Sequence, residues 1–89
     1  MRVRASHILV PTLNEAVELK AKINAGESFG DLAQAHSKCP SGRNGGDLGE
    51  FGPGQMVKPF EDAAFNTPIG QMGPPVQTQF GYHLVTRTA

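Results

Sequence analysis

Little in these 89 residues supports a cross-linked, strongly charged or membrane-embedded protein. A single cysteine, Cys39, leaves no partner for an internal disulfide, so the fold is expected not to need an oxidising compartment. Eight basic residues are matched by eight acidic ones. Without excess positive charge, the usual electrostatic reason to propose nucleic acid as a partner is gone. Arg2, Arg4 and Arg87 could gather on neighbouring strands, but exposed charges at strand ends are ordinarily just solvated. No apolar run approaches the ~20 residues of a membrane span. Met1-Arg2-Val3-Arg4 passes straight into strand-like sequence with no apolar signal-peptide segment. The expectation is a cytoplasmic monomer forming one domain over residues 1–89, with no membrane span.

Glycine and proline, by contrast, are abundant at eleven and seven. They predict several tight turns, or places where backbone comes close to something else. Val3 to Val10 alternates Val3, Ala5, His7 and Leu9 with Ser6, Ile8 and Val10, and reads as a strand covered on both sides. Thr12-Leu13-Asn14-Glu15 matches a reciprocal capping box. Leu13, Ala16, Leu19 and Ile23 then carry a helix to Gly26. Ser28 opens a second helix with Phe29, Leu32, Ala33 and His36 on its inner side. Pro40 can start one short helical turn, and Gly45-Gly46 must release the chain into a strand over residues 47–51. Pro59 suits the first position of a third helix, which Asn66-Thr67-Pro68 ends. A hairpin closes the chain, with strands over 74–77 and 82–88. The order β-α-α-(short helix)-β-α-β-β, with helices segregated from a four-stranded, mainly antiparallel sheet, is an α+β fold.

Three segments in this order form a specific constellation: Ser6-His7-Ile8-Leu9-Val10, Gly45-Gly46-Asp47-Leu48-Gly49-Glu50-Phe51 and Phe80-Gly81-Tyr82-His83. Between the last two lies Gly54-Gln55-Met56-Val57-Lys58-Pro59-Phe60. From about Arg4 to Thr86 the chain resembles the parvulin family of peptidyl-prolyl cis–trans isomerases. The resemblance implies a sheet with the first and last strands side by side at its centre. It places the family's paired histidines on His7 and His83, its cysteine-or-aspartate position on Cys39 and its hydroxyl position on Thr78. It also places the proline pocket on Leu48, Met56 and Phe60, with Phe80 added as a substrate contact. Its substrates would be X-Pro peptides and unfolded or flexible chains, whose folding it would assist, and no cofactor or metal is implied.

The residues suit that chemistry. Rotating an X-Pro amide means breaking a resonance worth ~18–20 kcal/mol. No covalent bond is made or cut, so no nucleophile, cofactor or metal is required. An apolar slot for the pyrrolidine ring and a water-poor wall for the turning carbonyl are required, fitted to the twisted amide. Leu48, Met56 and Phe60 supply the slot, although taken alone all three also read as plain core. His7 and His83, on antiparallel neighbours with residue 7 paired near residue 83, would share one face. One ring would donate to the other and Thr78 would bond an outer nitrogen, giving the histidines an orienting role rather than acid–base work.

Other readings of the same residues stay open. Cys39 before Pro40 sits where a thiolate would be favoured, so a covalent role is conceivable, although polar contact with the carbonyl fits bond rotation better. His36 and Cys39 have a spacing that zinc uses, but no second close ligand pair accompanies them. A non-catalytic module holding Pro-containing chains would use the same groove. The phosphate-dependent branch carries a long basic loop after the first strand. Here that connection is Pro11-Thr12, without Arg or Lys, so no preference for phospho-Ser/Thr before proline is expected.

Overall fold

The computed structural model describes residues 2–89. Its elements run β1 (Val3–Val10), α1 (Leu13–Asn24), α2 (Phe29–His36), a 3₁₀ turn (Pro40–Asn44), β2 (Asp47–Phe51), α3 (Lys58–Asn66), β3 (Val76–Thr78) and β4 (Gly81–Arg87). The strands form one sheet in the order β2-β1-β4-β3, and every pairing is antiparallel. The α+β arrangement expected from the sequence is therefore what forms, with β1 and β4 central. The register is of the expected kind, pairing residues near 7 with residues near 83: His7 faces Val85, and His83 faces Leu9. The two histidines are thus diagonal neighbours on one face, still within reach across the pair.

The local signals act as their chemistry predicts, with four corrections. Thr12 Oγ1 accepts from the Glu15 amide at 3.2 Å and caps α1. Among the described residues the return bond from the Glu15 carboxylate is not made, so half of the capping box is present. Leu13, in the first turn of α1, is 47% exposed, while Ala16 and Leu19 are buried. Ser28 caps α2 by accepting from the Asp31 amide at 3.3 Å. His36, expected on the inner side of α2, is instead exposed at that short helix's last turn. Pro59 occupies the second rather than the first position of α3, where its missing N–H is equally harmless.

The closing hairpin is tighter than its sequence suggests. Strand pairing begins at Val76, after Pro74 and Pro75, neither of which has an amide to donate, and Thr78 already pairs with Gly81. Gly81 has φ +138°, and a Cβ there would sit 2.6 Å from the Val10 carbonyl oxygen. Only glycine lets β4 start that close to the end of β1.

Alternation along β1 and β4 builds two separate cores. Ile8, Val10 and Leu84 pack with Ala16, Leu19, Leu32 and Ala33 under α1 and α2. Val3, Ala5 and Val85 point the other way and pack with Phe51, Phe60 and Ala64. Burying each large aliphatic side chain contributes roughly 1.5–3 kcal/mol, so both faces of the sheet are needed for a chain this short. His7 and His83 share the second face and are both 5% exposed.

Candidate active site

The two imidazoles meet nitrogen to nitrogen. His7 Nδ1 lies 2.9 Å from His83 Nδ1, and the ring planes are within 15° of each other with centroids 5.1 Å apart. That separation is the nitrogen–nitrogen gap plus a ring radius on each side, so the rings lie edge to edge rather than face to face. Phe60 stands nearly perpendicular to both, 5.3 Å from each centroid. At their outer ends, His7 Nε2 lies 3.0 Å from Ser41 Oγ, and His83 Nε2 lies 2.8 Å from Thr78 Oγ1. All four ring nitrogens are thereby engaged. With both rings neutral the three bonds must share one direction: the Nδ1 that donates leaves its own Nε2 to accept. The Phe80 amide donates to Thr78 Oγ1 at 3.1 Å and fixes that hydroxyl.

Backbone clamps hold this row in place. The His7 amide donates to the Gly46 carbonyl at 2.9 Å. Gly46 has φ +85°, and a Cβ there would sit 2.2 Å from the His7 carbonyl oxygen. The Gly45-Gly46 pair therefore lets the loop lie flat on β1 behind the histidine. The preceding 3₁₀ turn delivers Ser41 to the outer nitrogen of His7, and Gly42 fits beneath it, where a Cβ would meet the Ala33 carbonyl at 2.7 Å.

Above the histidines lies an apolar groove of about 450 Å³. Leu48, Met56, Phe60 and Phe80 all line it, as do His7, His83 and Cys39. Of the site residues expected from sequence, only Thr78 stays out of the lining; it supports the floor from behind. Phe60 is buried, Leu48 and Met56 are half-buried, and Phe80 stands 60% exposed at the rim. An apolar groove of this size with a few convergent polar groups is what a small peptide segment requires.

A match to a known family decides what this groove belongs to. The profile of the PPIC-type PPIase domain covers residues 1–89. The chain belongs to that family. It is 52% identical over 88 residues to the foldase protein PrsA of Geobacillus sp. (strain WCH70), covering 98% of this chain and 32% of that protein. The chain thus spans about a third of the length of the curated relatives it matches. Among solved structures, it superposes on PrsA from Bacillus anthracis with a TM-score of 0.97 at 46% identity, covering 99% of this chain and 41% of that one. It superposes on NmPin, the parvulin of Nitrosopumilus maritimus, with a TM-score of 0.90 at 43% identity, covering 99% and 96%. As a PPIC-type domain it is a peptidyl-prolyl cis–trans isomerase.

The electrostatics of this parvulin site favour neutral rings. Burial, and after it the charge of the neighbouring His83, pushes His7 down to about 4. Burial lowers His83 as well. Both imidazoles are therefore uncharged at neutral pH. Cys39 caps the 3₁₀ turn without a side-chain capping bond, and its thiol borders the groove. Sequence reasoning missed Ser41. Its hydroxyl is brought to His7 by a turn 34 residues along the chain, and no local pattern marks it. It also missed the rim residues Lys38, Gln55 and Val57.

Proposed function

We propose that this domain accelerates rotation about X-Pro bonds in peptides and in unfolded or flexible protein segments, without requiring phosphate, and so assists folding. The observation that carries the reading is the apolar groove floored by a neutral, fully hydrogen-bonded histidine pair. The pyrrolidine ring seats against Leu48, Met56 and Phe60, and the preceding carbonyl swings over the histidine–Cys39 side. Removing water from that carbonyl disfavours the planar, resonance-stabilised amide relative to the twisted one. The histidines act as a rigid floor rather than as proton carriers. Their hydrogen bonds hold both rings edge to edge, so the wall facing the twisting amide does not reorganise. Phe80 covers the rim, and Cys39 offers polar contact. Rotation transfers no atom or electron, so the residues present suffice without cofactor or metal.

Phosphate independence is supported by the short connection at Pro11 and Thr12, which offers no guanidinium. A monomer in the cytoplasm completes the proposal: the free Cys39 thiol beside the groove suits a reducing compartment. No helix among the described residues is long and apolar enough to cross a membrane. The relatives named foldases lend support to folding assistance.

The test is NMR exchange spectroscopy on Ala-Pro, Leu-Pro, Gln-Pro and phospho-Ser-Pro peptides. Catalysed exchange on the unphosphorylated peptides, without a marked gain from phosphate, is expected. Peptide binding without exchange would leave a holding module instead, and a large phospho preference would defeat the proposed specificity.

A further inference from the structure

The groove is apolar and its histidines are neutral, yet one formal charge borders it. Lys38 lines the groove beside Cys39. Its backbone is clamped to the floor: the Lys38 amide donates to the Leu9 carbonyl at 2.7 Å. The adjoining Ser37 Oγ accepts from the amides of Leu9 at 3.0 Å and of Cys39 at 3.3 Å. Leu9 is itself part of the groove wall and pairs with His83. The stem of this lysine is therefore fixed relative to the histidine pair, while its side chain is exposed.

Its charge is also uncommitted. Among the described residues the ion pairs are Arg4 with Asp47, and Lys58 with Glu61 and Asp62. Lys58, next to the groove residue Val57, is thus already neutralised. Lys38 also borders a smaller hollow that includes Glu15 and Glu18, but neither carboxylate reaches ion-pair distance. No carboxylate lines the groove itself. A peptide seated there meets a single sign of charge, borne by the residue adjoining Cys39.

From this placement we infer that Lys38 gives the domain a preference for an acidic residue immediately before the proline. The inference rests on the isomerase reading and sharpens its substrate class. With the ring in the slot and the preceding carbonyl over the Cys39 side, the side chain of the preceding residue comes out nearest Lys38. A lysine is a flexible point charge, so it attracts a carboxylate without the geometric selection of a guanidinium fork. Exposed pairs are weak, so the expected preference for Glu over its isostere Gln is about two- to fivefold in kcat/KM.

The experiment compares Glu-Pro, Gln-Pro and Lys-Pro peptides of otherwise equal sequence, at low salt and at about 0.5 M salt, where exposed charges are screened. The ratio of Glu-Pro to Gln-Pro, taken within each variant, is the readout. The unaltered chain is expected to favour Glu over Gln and Gln over Lys, with the spread shrinking in salt. Lys38→Met should bring the ratio to about one, and Lys38→Glu should reverse it. A ratio near one in the unaltered chain, or a preference that survives Lys38→Met, overturns the inference while leaving the isomerase reading intact. Failure to turn over even Gln-Pro overturns the isomerase reading, and this inference with it.

Discussion

The two faces of the central β1–β4 pair are made by the same strands and serve opposite ends. Toward α1 and α2, Ile8 and Leu84 face one another across the pair and are wholly buried in aliphatic neighbours. One residue away on each strand, His7 and His83 point the other way, beneath α3. Two helices cover the first face; one helix covers the second, and the uncovered part is the groove. The dry face adds a wholly apolar core to the one that Phe51, Phe60 and Val85 form beside the histidines. That lets the other face keep buried polar groups, which stabilise only when each hydrogen bond is satisfied. Among the described residues no buried side-chain polar atom lacks a partner. The site is therefore a fully satisfied exception among the otherwise apolar buried positions of the two strands.

Four changes would break or sharpen this contrast. The largest effect belongs to the dry face. Leu84→Ala should cost roughly 3–4 kcal/mol in denaturant unfolding, because its neighbours cannot collapse into the gap. The fraction that stays folded should keep near-normal turnover; altered turnover would mean the faces are not independent.

Next comes acid acting on the polar face. His7 is lowered from 6.5 to about 4 in the folded state, so between those values the unfolded chain binds the proton and the folded one does not. Stability is then complete above about pH 6.5 and declines as the pH falls toward 4, by about 3 kcal/mol from His7. His83, lowered in the same sense, adds to the loss. Turnover should stay flat from about pH 7 to 9, and a bell-shaped profile there would restore a proton-shuttling role. If His7→Ala abolished turnover with no loss of stability, the scaffold role would likewise be wrong.

Smaller effects separate groove from floor. Met56→Ala should lower kcat/KM about tenfold, equivalent to ~1.4 kcal/mol, while shifting the melting temperature little, since Met56 is only half-buried. Ser41→Ala should cost about 1 kcal/mol and change the nitrogen NMR signature of His7 Nε2, which loses its partner. An unchanged His7 spectrum would show that Ser41 does not orient the ring.

Much of this architecture is legible in the residues. The alternation of β1, the Thr12 and Ser28 caps and the proline near the start of α3 each act within a few residues of themselves, and each placed its element. What escaped depends on distance. Nothing local to Ser41 reveals that the 3₁₀ turn carries it to His7. The Gly45-Gly46 pair announces a turn, but only the fold shows that Gly46 lies against the His7 backbone. The exact register also depends on the fold: hydrophobic alternation fixes which face a strand residue occupies, but not which of the nearby partners it meets, here Val85 for His7 and Leu9 for His83. His36 illustrates the reverse error: helical spacing assigned it an inward direction, but at the last turn of α2 it is exposed beside a hollow next to Val10 and Pro11.

The hydrogen bond between His7 and His83 joins residues 76 positions apart, close to the full span of the chain. The floor of the groove therefore cannot form until the last strand has docked beside the first. Closing a loop of that length carries an entropic cost that is repaid only when the β1–β4 ladder zips. A chain still emerging from synthesis would have α1, α2 and β2 available but no groove. A domain for prolyl rotation built this way gains its groove only once β1 and β4 are joined.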